Sequence, residues 1–288
     1  MRAFQKILFP IDMSDSCTAT APFVETMAKR YNADVTLLHV LEVPSGMIPD
    51  WYGGAVPVID TAAIWQAETE AADSYLTGRF QGIKVRRVNV RGEAATAIED
   101  YARENGIDLI MMPTHGYGIF RSLLLGSVTA KVLHDTQIPV WTGVHVEDPA
   151  CVSPEFGTIL CAVDRTEDSI ATLRFGCRLA HDNHAKLLIV HGIPGAEVAP
   201  EKYFDTDLRH YLEEDARKSI ALLQEAAGVA APLCLGAGEV SHVVRDSALG
   251  HSADLIVMGR GKATRALGRL RSNVYSIIRD APCPVISV

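Results

Sequence analysis

Short apolar runs alternate along this chain with longer segments in which apolar residues recur every three or four positions. The run at 7–11 (ILFPI) is followed by Ser14, Asp15 and Ser16. These residue types accept hydrogen bonds from free helix N–H groups, so a helix is predicted from there to residue 31. Residues 35–43 are apolar almost without alternation, as expected of a parallel strand covered on both faces. An irregular stretch at 44–60 precedes a helix predicted at 61–80. A strand at 85–90, a turn at Gly92, a helix at 94–105, a strand at 109–112, a loop at 113–126, a helix at 127–134 and a closing strand at 140–144 follow. The order then repeats, with strands near Thr158, Lys186, Leu233, Leu255 and Val285. Such alternation predicts an α/β fold: a mostly parallel sheet with helices on both faces and right-handed crossovers. Ligands belong at the carboxyl ends of the strands, where strand order reverses.

The repetition extends to the residues themselves. ILFPID (7–12) returns as ILCAVD (159–164), and VTLLH (35–39) as LLIVH (187–191), both at an offset of 152 residues. DLIMM (108–112) returns as DLIVM (254–258), and IPV (138–140) as CPV (283–285). Four blocks in one order, at a spacing too long for a solenoid unit, predict two tandem domains, at 1–148 and 153–288. Each is expected to hold five strands.

With 48% hydrophobic and 22% charged residues, the 288-residue chain can bury one core per half. A formal net charge of −8 argues against general nucleic-acid binding, which requires clustered Lys and Arg. No apolar run reaches the roughly 18 residues needed to span a bilayer, and Asp12 and Asp15 interrupt any leader pattern at the start. A cytoplasmic protein without membrane contact is expected. The six cysteines form no C-x-x-C pair and read as buried free thiols.

Candidate chemistry lies in the loop after the fourth strand, MPTHGYGIFRSLLLGSVT (112–129). Gly116 is followed by nine residues and then by Gly126-Ser127 at a helix start. Glycine admits a phosphate to the backbone, and free N–H groups at the positive end of the helix favour an anion. Ser127 and Thr129 add hydroxyls. An ordinary strand-to-helix loop with a glycine turn and a serine cap fits the same spacing.

I-L-x-x-I-D near the start, L-L-H-V in the second strand, T-H-G, and L-L-G-S-V-T together resemble the universal stress protein family, and both halves carry the likeness. The family's phosphate loop reads G-x-x-G, nine residues, G-[S/T]. The resemblance implies two Rossmann-like domains of the adenine nucleotide alpha hydrolase-like kind. It implies ATP or ADP as ligand, with or without Mg. Pro10, Ile11 and Asp12 at the end of the first strand then face the adenine and ribose, and Val40 packs near the base. Pro113, Thr114, His115, Gly116, Gly126, Ser127, Val128 and Thr129 surround the ribose and phosphates. The first glycine of the pattern falls on Pro113, which has no N–H. The resemblance also implies dimerisation through final strands, which within one chain becomes a pseudo-dimer of 140–144 with 285–288. A further homodimer of chains is compatible with it.

The second half departs further. Its loop reads MGRGKATRALGRLRSN (258–273), and alignment from the Pro-Val ending sets Gly261 opposite Gly116, Arg271 opposite Gly126 and Ser272 opposite Ser127. An arginine replaces the glycine that admits phosphate, so ATP is not expected here. Arg260, Lys262, Arg265, Arg269, Arg271 and Arg279 crowd this region. They form a solvated face, a docking patch for an acidic partner, or an anion site in which Arg260, Lys262, Arg271 and Ser272 take part. His181 and His184 read as a solvent-facing helix end, and His39 and His191 as structural histidines. Trp51 and Tyr52 read as a lid over the site, an interaction surface, or a cover on the adjacent domain.

No nucleophile elbow, paired carboxylates with a metal motif, or P-loop lysine is present. Three readings remain: a nucleotide-dependent sensor or adaptor in stress response acting on an unknown protein partner, an adaptor without nucleotide, and a weak ATPase or autophosphorylating protein with Ser127 or Thr129 as acceptor.

Overall fold

Strand β1 (Lys6–Ile11) lies between β2 (Asp34–Leu41) and β4 (Leu109–Pro113), parallel to both. The computed structural model describes residues 4–42, 61–114, 125–143, 155–194, 204–261 and 272–288. Beyond β2 comes β3 (Val85–Arg91), and beyond β4 comes β5 (Val140–Gly143). Helices α1 (Asp15–Tyr31), α2 (Thr61–Ser74), α3 (Ala94–Glu104) and α4 (Ser127–Asp135) make the connections. The second half repeats this with β6 (Thr158–Ala162), β7 (Lys186–Ile193), β8 (Leu233–Ala237), β9 (Leu255–Met258) and β10 (Val285–Ser287). Its helices are α5 (Asp168–Asn183), α6 (Phe204–Ala227), α7 (Val240–Gly250) and α8 (Ser272–Asp280).

The halves join through their last strands. β10 pairs antiparallel with β5, setting Val285 opposite Thr142, Ile286 opposite Trp141 and Ser287 opposite Val140. The result is one ten-stranded sheet, β3-β2-β1-β4-β5-β10-β9-β6-β7-β8. This is the internal pairing expected of the closing strands.

Joining the sheets changes the core. Instead of one core per half, the buried apolar side chains form two main layers, one on each face of the sheet, and both layers run through both halves. One holds Phe9, Met27 and Trp141 together with Ile159, Leu173 and Ile189; the other holds Leu8, Ile98 and Leu133 together with Leu160, Val244 and Ile278. The reason is geometric: a continuous sheet presents alternate residues of every strand to the same face. Phe4 continues the layer across the join, its ring 5.1 Å from that of Tyr31 and 6.0 Å from that of Phe175. Asn183 Nδ2 donates to Tyr31 Oη at 2.9 Å.

The recurring DLI-M block has a structural cause. Asp108 accepts from the N–H groups of Gln5 and Lys6 at 2.8 and 3.1 Å, and Asp254 accepts from those of Gly157 and Thr158 at 2.9 and 2.8 Å. Each carboxylate ties the start of one central strand to its neighbour. Helix α2 ends at Ser74, earlier than the apolar pattern predicts. Leu76 turns into the left-handed region (φ 56°), and the Tyr75 hydroxyl donates to Ser14 O at 3.1 Å, which draws the chain out of the helix.

Candidate functional site

In the first half, strand order reverses between β1 and β4, and the carboxyl ends of strands at such a point are where sheets of this kind place ligands. At the end of β1, Asp12 Oδ1 accepts from the Ser14 N–H at 3.0 Å, a turn that starts α1. His39, at the end of β2, donates from Nδ1 to Ile11 O at 3.0 Å, so the histidine expected to be structural holds the two strand ends together. Its Nε2 is buried and has no partner among the described residues.

Helix α4 begins at the same edge. The Gly126 N–H donates to Thr114 O at 2.8 Å, and the buried Thr129 hydroxyl donates to Pro113 O at 3.1 Å. Thr114 in turn donates from Oγ1 to Gly143 O at 3.2 Å. These bonds clasp the start of α4 to the end of β4. They also occupy the Gly126 N–H and the Thr129 hydroxyl, two of the donors that sequence reasoning directs toward phosphate. The N–H groups of Ser127 and Val128 sit in the first helical turn and have no acceptor among the described residues, and Ser127 is exposed. An anion at this helix end would meet those donors and the positive end of the helix. Pro10, Ile11, Asp12, Val40, Pro113 and Thr114 all lie at these strand ends; His115 and Gly116 fall outside the described residues.

Glu93 braces α4 from α3. Its carboxylate caps α3 by accepting from the Thr96 N–H at 3.0 Å and takes a bond from Lys131 Nζ at 2.8 Å. These bonds, that from Lys131 first, hold its pKa down at about 2. A depressed acid favours folding above its unfolded pKa and loses that contribution as pH falls through the folded value. Glu93→Gln is therefore expected to flatten the acid side of the stability profile between about pH 4.5 and pH 2. Urea midpoints at low salt check this, and since both side chains are about half exposed the effect is expected to fade in high salt.

Arg260 is a correction to the proposed basic cluster. Its N–H donates to Val288 O at 2.9 Å, as the Thr114 N–H donates to Gly143 O at 3.3 Å, so Arg260 takes the place of Thr114 and Gly259 that of Pro113. The side chain does not face solvent or an anion. It is 9% exposed and donates to Thr136 O at 2.8 Å, Ile138 O at 2.7 Å and Leu133 O at 3.4 Å. Those carbonyls belong to the carboxyl end of α4 and the turn after it, in the other half. Burial draws the pKa of Arg260 down to about 10, and it remains a cation at neutral pH. Tyr275 adds a bond from its hydroxyl to Ala130 O at 3.3 Å. Lys262 and Arg271 lie outside the described residues, as do Trp51, Tyr52 and the side chain of Ser272.

A cavity of about 400 Å³ opens in the second half at the carboxyl ends of β6, β7 and β9, a feature sequence reasoning missed. Val163, Val190, Ile193, Leu212, Val240 and Ile277 supply apolar wall. Asp164, the counterpart of Asp12, accepts at Oδ1 from the Thr166 N–H and from the Ser169 hydroxyl, both at 2.9 Å. His191 donates from Nδ1 to Val163 O at 2.9 Å, matching His39. The signal for this cavity in the sequence is the conserved order of the two halves alone, since its walls are ordinary core residues.

Among the described residues no group of three His, Cys, Asp or Glu side chains is placed to hold a metal, and no helix is long and apolar enough to cross a membrane. His181 sits beside Asp182, and His184 caps α5 in the left-handed conformation. Cys17, Cys161 and Cys283 are buried, and burial pushes the thiols of Cys161 and Cys283 up to about 12. Cys234 is half-buried, because β8 is a sheet edge.

Comparison with known proteins gives two matches to the model of the universal stress protein family, at residues 3–142 and 155–288. Universal stress protein Sll1654 of Synechocystis sp. is 31% identical over 138 residues, covering 48% of this chain and 83% of its own. A universal stress protein encoded 3′ of the QAH/OAS sulfhydrylase in Thermus aquaticus is 33% identical over 140 residues, 46% of this chain and 98% of its own. The crystal structure of a universal stress protein from Archaeoglobus fulgidus superposes over 100% of this chain and 97% of its own, with a TM-score of 0.71 and 21% identity. That likeness speaks to the fold.

Proposed function

We propose, since the chain belongs to the universal stress protein family, that its first half binds ATP or ADP and that the protein acts in stress response as a nucleotide-dependent sensor or adaptor. One observation carries the reading: the start of α4, with the Ser127 and Val128 N–H groups unspent among the described residues, stands at the carboxyl end of β4, beside β1 and its terminal Asp12. In this reading the phosphates meet the helix end and the ribose meets Asp12. Val40 borders the base. Asp12 is the carboxylate in this set of residues and would be the one to hold a Mg ion brought with the phosphates, which would supply charge neutralisation there.

The clasp around Gly126 favours a second reading, an adaptor that works without nucleotide. Gly126 and Thr129 already spend a donor each on the protein, and Pro113 has none to give. Calorimetric titration of nucleotide-stripped protein with ATP decides between them. The expected result is one ATP per chain, with affinity lowered at least tenfold in Gly126→Arg, which copies Arg271 of the second half and puts a side chain over the helix end. Absence of heat in the parent protein would favour the adaptor. Two sites per chain would mean that the second loop also accepts nucleotide.

A further inference from the structure

Among the described residues, the cavity of the second half is lined mostly by apolar side chains. Among the described lining residues, Asp164 and Asp168 are carboxylates and Arg165 is the cation. Arg165 is engaged by Asp215 of α6 in an ion pair.

His191 shows what the cavity does suit. The ring is 8% exposed, and its Nδ1 bonds to a carbonyl oxygen, which can only accept. The proton therefore sits on Nδ1, and Nε2 is a lone-pair acceptor. Burial, the larger effect, lowers the pKa of His191 and keeps the ring neutral at pH 7. Nε2 has no hydrogen-bond partner among the described residues, and the residue lines the cavity. An unmet acceptor on an apolar wall is a fixed point for a ligand with one donor.

We propose that this cavity binds an uncharged, largely apolar small molecule that gives one N–H or O–H to His191 Nε2. The volume of about 400 Å³ lies in the range of pockets that hold such molecules. The inference does not depend on nucleotide binding in the first half, and it gives the two halves different ligand classes.

N-phenyl-1-naphthylamine is a suitable probe, being neutral and apolar, with a single N–H and a fluorescence that rises in apolar surroundings. Titration of the full chain is expected to saturate at one probe per chain. Ala162→Leu, which fills the floor of the cavity, is expected to weaken binding at least tenfold. His191→Phe is expected to weaken it about tenfold, whereas His191→Gln, which keeps an acceptor, is expected to stay within about threefold of the parent. His191→Asn, whose amide N–H can replace Nδ1 toward Val163 O while leaving no acceptor at the Nε2 position, is expected to weaken binding about tenfold as well, so the acceptor is read apart from the strand tie. ATP is expected not to displace the probe. Absence of saturable binding, equal affinity in the parent, Ala162→Leu and His191→Phe, or displacement by ATP would overturn the proposal.

Discussion

Arg260→Ala is expected to lower the unfolding free energy by about 3 kcal/mol, as expected when a buried charged group and its hydrogen bonds are broken apart. The guanidinium reaches three carbonyls at the carboxyl end of α4 and the turn beyond it, where the helix leaves its last C=O groups without internal partners and carries partial negative charge. Burial disfavours the cation, and those carbonyls are what offset it. Removing the side chain leaves them facing a hollow between the halves. At roughly 2 °C per kcal/mol for a chain of this size, the melting midpoint should fall by about 6 °C. Arg260→Lys should recover only part of the loss, because an ammonium cannot span the carbonyls as a planar fork does. A solvent-facing arginine in the same loop would give a change within about 0.5 kcal/mol, so a null result in urea denaturation would restore Arg260 to the exposed basic cluster.

That arginine marks where the sequence stops being legible. Its neighbours in sequence are basic and glycine-rich, so spacing groups it with Lys262 and Arg271; only the pairing of Val288 with Arg260 reveals that it occupies the place of Thr114. The central strands β1, β4, β6 and β9, by contrast, are readable because each buries both faces, and their short apolar runs have no amphipathic helix reading of comparable length. The join between halves was readable too, since two closing strands with free edges in one chain find each other without loss of translational freedom. The elements that frame the candidate site were legible: Asp12 directly follows β1 and Gly126 directly precedes α4. The clasp that spends Thr129 on Pro113 was not, because a first-turn hydroxyl can face a ligand or its own loop with identical spacing. The cavity was least legible of all. It is bounded by core residues whose identity says buried and not hollow.

Gly236→Val should destabilise the chain by about 2.5 kcal/mol, and adding Val243→Ala should recover most of it, an expectation drawn from comparing the two halves residue by residue. A Cβ at Gly236 would lie 2.5 Å from Val243 Cγ1, and one at Gly192 would lie 3.1 Å from Val240 Cα. The corresponding positions of the first half are fixed by strand register: Leu37 pairs with Arg87 as Ile189 pairs with Leu233, and Glu93 precedes α3 as Glu239 precedes α7. Gly192 and Gly236 thus answer to Val40 and Val90, while Val240 and Val243 answer to Ala94 and Ala97. Bulk has moved from strand to helix at both contacts. Val243→Ala alone removes two buried methyl groups facing a glycine and should cost about 1.5 kcal/mol. The double variant restores the first half's arrangement, regains a β-branched residue in a strand, and should sit within about 1 kcal/mol of the parent. The cycle then closes with a favourable coupling of about 3 kcal/mol, measurable as the difference between the double variant and the sum of the singles in urea denaturation. Additive losses would mean that α7 sits against the sheet in a way the first half cannot instruct. A strong coupling would show that the duplicated domains kept one packing volume while exchanging which side fills it, and that Val240, which lines the second cavity, owes its position to Gly192.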